Sequence, residues 1–228
     1  MEKFSLNNQI EKVLRDENTS FLNSIDTRYV VNSLKKFNCD YKVFYLFPDS
    51  EKLIVYQNNL NISLFQIKCN QKLTHREILG SLFSHNLSED VFGDIIIDND
   101  CYYMVVLSKI NKYLLTNFNE IGNKKIELVE CDLDVVSNFS PKFKEIQLHV
   151  SSFRIDAVIS KLIPTSRTIS NEMIASQKVI VNYKLLKNKN YILKENDIFS
   201  IRGIGKFKLV QIYSMNRDKF KIIINQYL

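Results

Sequence analysis

The sequence has few of the residues that interrupt or loosen a folded chain. Its 228 residues include five glycines, three prolines and no tryptophan. This composition excludes long flexible linkers rich in glycine or proline. No apolar run approaches the roughly 18 residues that a membrane span needs, and the charged N-terminal stretch MEKFSLNNQIEKVLRDENTS lacks the apolar core of a secretory signal. We therefore expect a cytoplasmic protein that does not enter a membrane.

Cysteine and histidine are also sparse. The sequence has three histidines and four cysteines, and no two cysteines form a Cys-x-x-Cys pair. Zinc sites built from these residues need closely spaced ligands, so we expect no metal and no cofactor. Four unpaired thiols suit a reducing compartment such as the cytoplasm. The cysteines are Cys39, Cys69, Cys101 and Cys131.

Signatures of nucleotide-driven and nucleophilic chemistry are missing as well. The sequence contains neither Gly-x-x-x-x-Gly-Lys-Ser/Thr nor Gly-x-Gly-x-x-Gly, the glycine-rich loops that hold phosphates. His75, Asp94 and Cys101 supply the residue types of a nucleophilic site, but no glycine-rich elbow or oxyanion signal accompanies them. The sequence therefore gives no support to a hydrolase or to a nucleotide-driven enzyme.

Charge is plentiful but unevenly distributed. Residues 150–228 contain 14 Lys and Arg against 5 Asp and Glu, a net charge of +9. Residues 1–149 contain 17 Lys and Arg against 20 Asp and Glu, a net charge of −3. A basic C-terminal third is typical of an attached nucleic-acid-binding module. A well-solvated lysine surface would give the same net charge. The positions of the cations in the sequence therefore have to distinguish a nucleic-acid-binding surface from a merely solvated one.

Hydrophobic spacing divides the chain into three small α+β units. A helical pattern over 7–38 precedes β-rich runs that end with ISLFQIK, residues 62–68. The next helix starts at Thr74, with Glu77 three residues later in the pattern of a capping box. We expect an N-terminal α+β domain over 1–70, a central α/β sandwich over 71–140, and a C-terminal basic module over 141–228.

Two short amphipathic helices of the basic module each begin beside an arginine, Arg154 or Arg167. A cation at the positive end of a helix is unfavourable unless an anion such as phosphate occupies the site. Lys178, at the start of the following strand, could add a third cation near the same surface. The alternative is structural, with Arg154 and Arg167 paired to Asp156 and Glu172.

The stretch FRIDAVIS…SRTISNEMIASQKVIVN resembles the S-four-type RNA-binding domain, also called the αL motif. The matching positions are Arg154, Asp156, Ser166, Arg167, Ile174, Lys178, Val179, Val181, Asn182 and the turn acid Asp197. Where that family usually has glycine before the Lys-Val pair, this chain has Gln177. The resemblance implies an RNA-binding module, and its predicted contacts are Arg154, Ser166, Arg167, Lys178, Asn182 and Lys184.

The stretches LTHREILGSLFSHNLSEDVFGDIII and IRGIGKFKL extend the resemblance to the bacterial YlmH family, over about residues 20–228. This resemblance implies an N-terminal α+β domain and a central RNA-recognition-like domain ahead of the S-four-type module. It also implies RNA binding without catalysis, on rRNA or tRNA of the large ribosomal subunit, in ribosome-associated quality control or rescue of stalled peptidyl-tRNA complexes. Pseudouridine synthases share the module, but they normally carry it at the N-terminus and have a Gly-Arg-Leu-Asp stretch that is absent here.

Four further residues complete the predicted RNA contacts: His75, Arg76, Arg202 and Lys206. The first two can equally be the polar first turn of a helix, and the others can flank a simple strand turn in RGIGKF. The 15 Phe and 11 Tyr alternate with aliphatic residues and are expected in the core, which favours structured RNA over single-strand stacking. We expect a monomer. The competing hypothesis from another class is a protein–protein adaptor in cell division.

Overall fold

The computed structural model describes residues 3–48, 50–215 and 219–228, which divide into two compact units, Met1–Ser140 and Pro141–Leu228. Helices and several small sheets alternate along the chain, which confirms the expected α+β class. Within these ranges, no helix is both long and apolar enough to cross a membrane.

The first unit begins with two helices where the sequence pattern predicts one over 7–38. α1 spans Lys3–Leu14 and α2 spans Ser24–Lys36. The chain leaves α1 through Asp16, whose φ of 61° lies in the left-handed region, and Asn23 caps α2 by accepting two backbone N–H groups. These two local signals explain the break. The antiparallel hairpin that follows consists of β1 (Lys42–Tyr45) and β2 (Leu53–Tyr56).

A four-stranded antiparallel sheet forms the rest of the first unit. Its elements and their neighbours are β3 (Ile62–Lys68), α3 (His75–Ser84), β4 (Phe92–Asp98), β5 (Cys101–Leu107), α4 (Asn111–Asn117), the short pair β6 (Glu120–Ile121) and β7 (Lys124–Lys125), and β8 (Glu127–Cys131). The strand order is β4-β5-β3-β8. The sequence pattern assigns β3 to the N-terminal domain, but here β3 lies between β5 and β8. The sheet therefore begins before the expected boundary at residue 70.

Both faces of this sheet are covered. One face packs against α3 and α4 through a buried cluster that includes Phe65, Met104, Val106, Ile78 and Leu114. The opposite face packs against residues that precede the sheet, in a second cluster that includes Phe21, Leu46, Phe47, Leu64 and Val105. At Gly93 a Cβ would lie 2.5 Å from the Val105 side chain and 2.7 Å from the Phe21 ring. Glycine at this position therefore lets the Phe21 ring lie directly against the strand.

The second unit is a six-stranded antiparallel sheet with two helices on one face. Its elements are β9 (Phe143–Val150), α5 (Ile155–Leu162), α6 (Arg167–Ala175), β10 (Val179–Val181), β11 (Lys184–Leu185), β12 (Ile198–Ile201), β13 (Gly205–Ser214) and β14 (Phe220–Tyr227). The strand order is β11-β10-β12-β13-β14-β9. The strand that enters the unit, β9, thus pairs with the strand that ends it.

Alternation along the strands defines two faces of this sheet. The inner face packs on the apolar stripe of α5, formed by Ile155, Val158 and Ile159, and on Ile174 of α6. Its strand residues are buried and include Val179, Ile201, Phe207, Leu209 and Ile222. The residues that alternate with them point to the opposite side, which we call the outer face.

Candidate nucleic-acid interface

Arg154 forms an ion pair with Asp156 at the beginning of α5. Its Nε and one terminal nitrogen donate to the two carboxylate oxygens over 3.0 and 2.9 Å. Asp156 is only 2% exposed and also accepts the backbone N–H of Ala157 at 2.9 Å. The ion pair of the structural alternative is therefore present for this arginine. Its contact with RNA phosphate stays a prediction.

Opposing effects set the pKa of Asp156. Burial alone would raise this pKa, because it disfavours the charged carboxylate. The hydrogen bonds and charge of Arg154, the Ala157 amide and the charge of Arg167 outweigh burial, and the pKa lies below its ordinary value. Asp156 therefore stays ionised, and its negative charge offsets the partial positive charge at the N-terminus of α5.

Arg167 behaves differently from Arg154. It is exposed at the beginning of α6, and in the described part of the chain it forms no ion pair with Glu172 or any other carboxylate. Ser166 caps this helix by accepting the N–H of Ile169 at 3.2 Å, so its predicted RNA contact competes with a structural role. The combination of an exposed guanidinium and the first N–H groups of a helix suits an anion.

Lys178 lies at the other end of α6 from Arg167. The helix has nine residues, so its ends are separated by about 12 Å at ~1.5 Å per residue. In this structure the three predicted cations are therefore separate: Arg154 is paired with Asp156, and Arg167 and Lys178 lie at opposite ends of α6. Their contacts with RNA phosphate stay predictions.

The structure instead brings Lys178 beside two other cations. Arg202 donates its backbone N–H to the carbonyl oxygen of Lys178 at 2.8 Å. On the other side, Leu186 donates to the carbonyl oxygen of Val179 at 3.0 Å, which places Lys187 next to Lys178. We call Lys187, Lys178 and Arg202 the strand-end row. All three are exposed, and none forms an ion pair with a described carboxylate.

Asn182 is part of the turn between β10 and β11. With Tyr183 it forms the two-residue connection between β10 and β11, and both have positive φ, 49° and 65°. Its side chain donates to Asp197 at 2.8 Å and accepts the N–H of Ile198 at 3.1 Å. The predicted RNA contact of Asn182 is therefore replaced by a structural one. Lys184, directly after the turn, is exposed on the edge strand as an RNA contact requires.

The buried carboxylate of Asp197 holds this turn to the neighbouring loop. It accepts hydrogen bonds from the Tyr191 hydroxyl at 3.1 Å and the Lys194 amide at 2.8 Å, in addition to that from Asn182. Burial raises the pKa of Tyr191, and the charge and hydrogen bond of Asp197 raise it further. The turn acid of the S-four-type resemblance is thus part of the fold.

Lys206 is half-buried on β13, where its ammonium lies 5.2 Å from the centre of the Tyr227 ring. Arg202 begins the exposed loop that joins β12 to β13. In that loop Gly203 has a φ of 84°, and nothing lies within 4 Å of the position of a Cβ. This glycine meets the backbone requirement of the turn and also leaves open space beside Arg202.

His75 and Arg76 are exposed in the first turn of α3. The expected capping box is confirmed, since Thr74 and Glu77 exchange hydrogen bonds of 3.2 and 2.8 Å. Arg76 also lines an open cleft of about 310 Å³ together with His85 and Glu120. The placement leaves both predicted residues accessible to a ligand, in the unit that does not contain the basic module.

Asp94 has a structural role that removes it from a nucleophilic site. Its carboxylate accepts hydrogen bonds from the Ser50 hydroxyl and from the amides of Glu51 and Lys52, at 3.2 and 3.3 Å for the amides. It therefore fixes the loop before β2 against β4. In the ranges described, no group of histidine, cysteine and acidic side chains is arranged to hold a metal ion.

Comparison with known proteins supports the family resemblance. The family model "Putative RNA-binding domain in YlmH" matches residues 56–135. The "Ribosome-associated protein quality control protein P2" of Bacillus subtilis (strain 168) is 27% identical over 184 residues, 78% of this chain and 70% of that protein. The chain therefore resembles the YlmH family both in its central segment and along most of its length. The solved structure of the cell division protein YlmH from Streptococcus pneumoniae aligns over 59% of this chain and 92% of its own, with 18% identity and a TM-score of 0.49.

The YlmH family match includes β3 and all other strands of the four-stranded sheet. RNA-recognition modules stack bases on aromatic residues of an exposed sheet face. In this protein that face is covered by Phe21, Leu46 and Phe47. Any RNA contact in the first unit would therefore use its helix side or loops, where His75 and Arg76 lie.

Proposed function

We propose that this protein is a non-catalytic RNA-binding protein that acts on rRNA or tRNA of the large ribosomal subunit. Its role would lie in ribosome-associated quality control or in the rescue of stalled peptidyl-tRNA complexes. It would act as a monomer in the cytoplasm. The similarity to the B. subtilis quality-control protein and the family model over 56–135 support this proposal.

The strand-end row carries the structural argument. Like charges placed opposite each other on neighbouring strands destabilise a sheet. Lys187, Lys178 and Arg202 nevertheless occupy three adjacent strand ends, without carboxylate partners among the described residues. A bound polyanion would remove the repulsion, and phosphate contacts of this kind position RNA without reading its sequence. Arg167 supplies a further cation on the helix side of the same unit.

Structured RNA suits these surfaces better than extended single strands. The covered sheet face of the first unit leaves no stacking platform there, so bases would not be read by stacking on it. Exposed lysines and arginines instead read the shape and charge of a folded backbone. We include His75 and Arg76 as a second contact region, to be tested by replacing both with alanine and measuring RNA affinity together with melting temperature.

Sedimentation with purified large ribosomal subunits tests the proposal. The wild-type protein should sediment with the subunits at low salt and leave them at high salt. The variant K178Q/K187Q/R202Q should bind more weakly, and R28Q/K35Q/K36Q, which loses the same number of exposed cations on α2 of the first unit, serves as the control. A wild-type protein found in the free fractions at low salt would contradict the proposal and favour a protein–protein adaptor.

A further inference from the structure

The outer face of the six-stranded sheet carries cations well beyond the strand-end row. Phe207 and Leu209 of β13 are buried on the inner face, so Lys206 and Lys208, which alternate with them, point outward. On β14, Ile222 is buried and Lys221 points outward by the same alternation. We call the strand-end row together with these three lysines the basic track.

The basic track runs diagonally across the sheet. Lys206 faces Ser200 of β12, two positions before Arg202, so the step from Arg202 to Lys206 is about 8 Å in a regular sheet. Lys208 follows about 7 Å further along β13. Lys221 pairs with Tyr213 near the far end of β13, about 14 Å beyond Lys208. Six cations thus lie along one diagonal over five strands, with the longest step between Lys208 and Lys221.

The surroundings of the basic track favour an anion. Among the described strand residues of the outer face, Glu145 is the one carboxylate, and it accepts a hydrogen bond from Gln147 at 2.8 Å. From the loop before β12, the carboxylate of Glu195 accepts the backbone N–H of Ile212 on β13 at 2.7 Å. His149 lies opposite Lys221 on the neighbouring strand. The helices α5 and α6 pack on the inner face, so the track lies on the other side of the sheet from Arg167.

We propose that the basic track binds the phosphate backbone of an RNA segment, on a surface separate from the one that contains Arg167. The inference rests on the proposed RNA-binding function and extends it, because it gives the C-terminal unit two RNA-contacting sides. A line of cations along one face complements the evenly spaced charges of a nucleic-acid backbone. A unit with cations on both sides of its sheet can hold two RNA segments at once.

A salt titration with a fluorescent RNA stem–loop tests the inference. The triple variant K206Q/K208Q/K221Q should bind about tenfold or more weakly than the wild type, and the slope of log affinity against log salt should flatten by about 2 to 3. The control R28Q/K35Q/K36Q on α2 removes the same charge and should change the slope by less than one. The variant K206R/K208R/K221R should restore binding, because arginine keeps the phosphate contacts.

The outcomes separate this inference from the proposed function. If neither the stem–loop nor ribosomal subunits bind the wild type, both are overturned. If the wild type binds and K178Q/K187Q/R202Q weakens binding while K206Q/K208Q/K221Q does not, the track is overturned and the proposed function stands. Unchanged RNA binding by K206Q/K208Q/K221Q is also the result expected if the outer face binds an acidic protein instead of RNA. Should the triple variant fail to fold, K221Q alone replaces it, with an expected slope change of about 0.7 to 0.9.

Discussion

The guanidinium of Arg154 and the carboxylate of Asp156 pair across a single intervening residue, through hydrogen bonds of 3.0 and 2.9 Å. Removing either side chain leaves the other without its partner. We expect Asp156→Ala to lower the free energy of unfolding by about 1 to 3 kcal/mol, because a buried acceptor is lost to Arg154 and to the Ala157 amide. Arg154→Ala should also lower stability, contrary to an argument from the helix dipole alone. Urea denaturation measures both.

The pH dependence of the same pair provides a check. The folded-state pKa of Asp156 is below its ordinary value of 3.8, so its stabilisation is present above that pH and is lost as the pH falls through the folded pKa. The double variant R154A/D156A should abolish this contribution. A double-mutant cycle with no coupling energy would contradict the pair.

Asn182 is expected to affect stability and not RNA binding. Asn182→Ala removes the hydrogen bonds to Asp197 and Ile198 and places a less suitable residue in a left-handed turn. We expect a loss of about 1 to 3 kcal/mol in the free energy of unfolding. The salt slope of RNA binding should match that of the wild type under folding conditions. Asn182→Gly, which keeps the turn and loses the side chain, isolates the hydrogen-bond contribution.

Gln177 occupies a backbone conformation that favours glycine. Its φ is 56°, at the tight passage from α6 into β10, where the S-four-type family usually has glycine. Gln177→Gly should therefore raise the free energy of unfolding by up to about 1 kcal/mol. Gln177→Val should lower it, since a β-branched residue is poorly tolerated there. Equal stability of the two variants in chemical denaturation would show that the conformation carries no strain.

Glu77 makes α3 sensitive to acid. The hydrogen bond from Lys124, at 2.6 Å, and those from Thr74 lower the pKa of Glu77 to about 2 from an ordinary value of 4.5. Its contribution to stability is therefore present above pH 4.5 and disappears as the pH falls toward 2. Lys124→Met should raise this pKa toward its ordinary value, as measured by NMR titration of the Glu77 carboxyl carbon. An unchanged titration would contradict the contact.

Features that depend on residues close in sequence were predictable. The capping box of Thr74 and Glu77, the apolar stripe of α5 and the end of that helix before Pro164 all follow from spacing within one or two turns. The pair of Arg154 and Asp156 is equally local. The charge pattern alone could not decide whether Arg154 pairs with Asp156 or with an RNA phosphate, because either anion can accept hydrogen bonds from the guanidinium.

Features that depend on strand register could not be predicted. Lys187 lies beside Lys178 because of the pairing between β10 and β11, and alternation within one strand says nothing about which residue faces which on the next. The position of β3 between β5 and β8 has the same origin. The sequence pattern indicated that Ile62–Lys68 is a strand, but it did not indicate which strands would pair with it.

The covered sheet face has a consequence for how this protein can be divided. A fragment limited to residues 56–135 would keep the strands and lose the side chains of Phe21, Leu46 and Phe47. Leu64, Ile96 and Val105 would then form an apolar strip open to water, of the kind that promotes aggregation. The segment matched by the family model therefore needs to be expressed together with the residues before it, because Phe21, Leu46 and Phe47 complete the hydrophobic core on this face of the sheet.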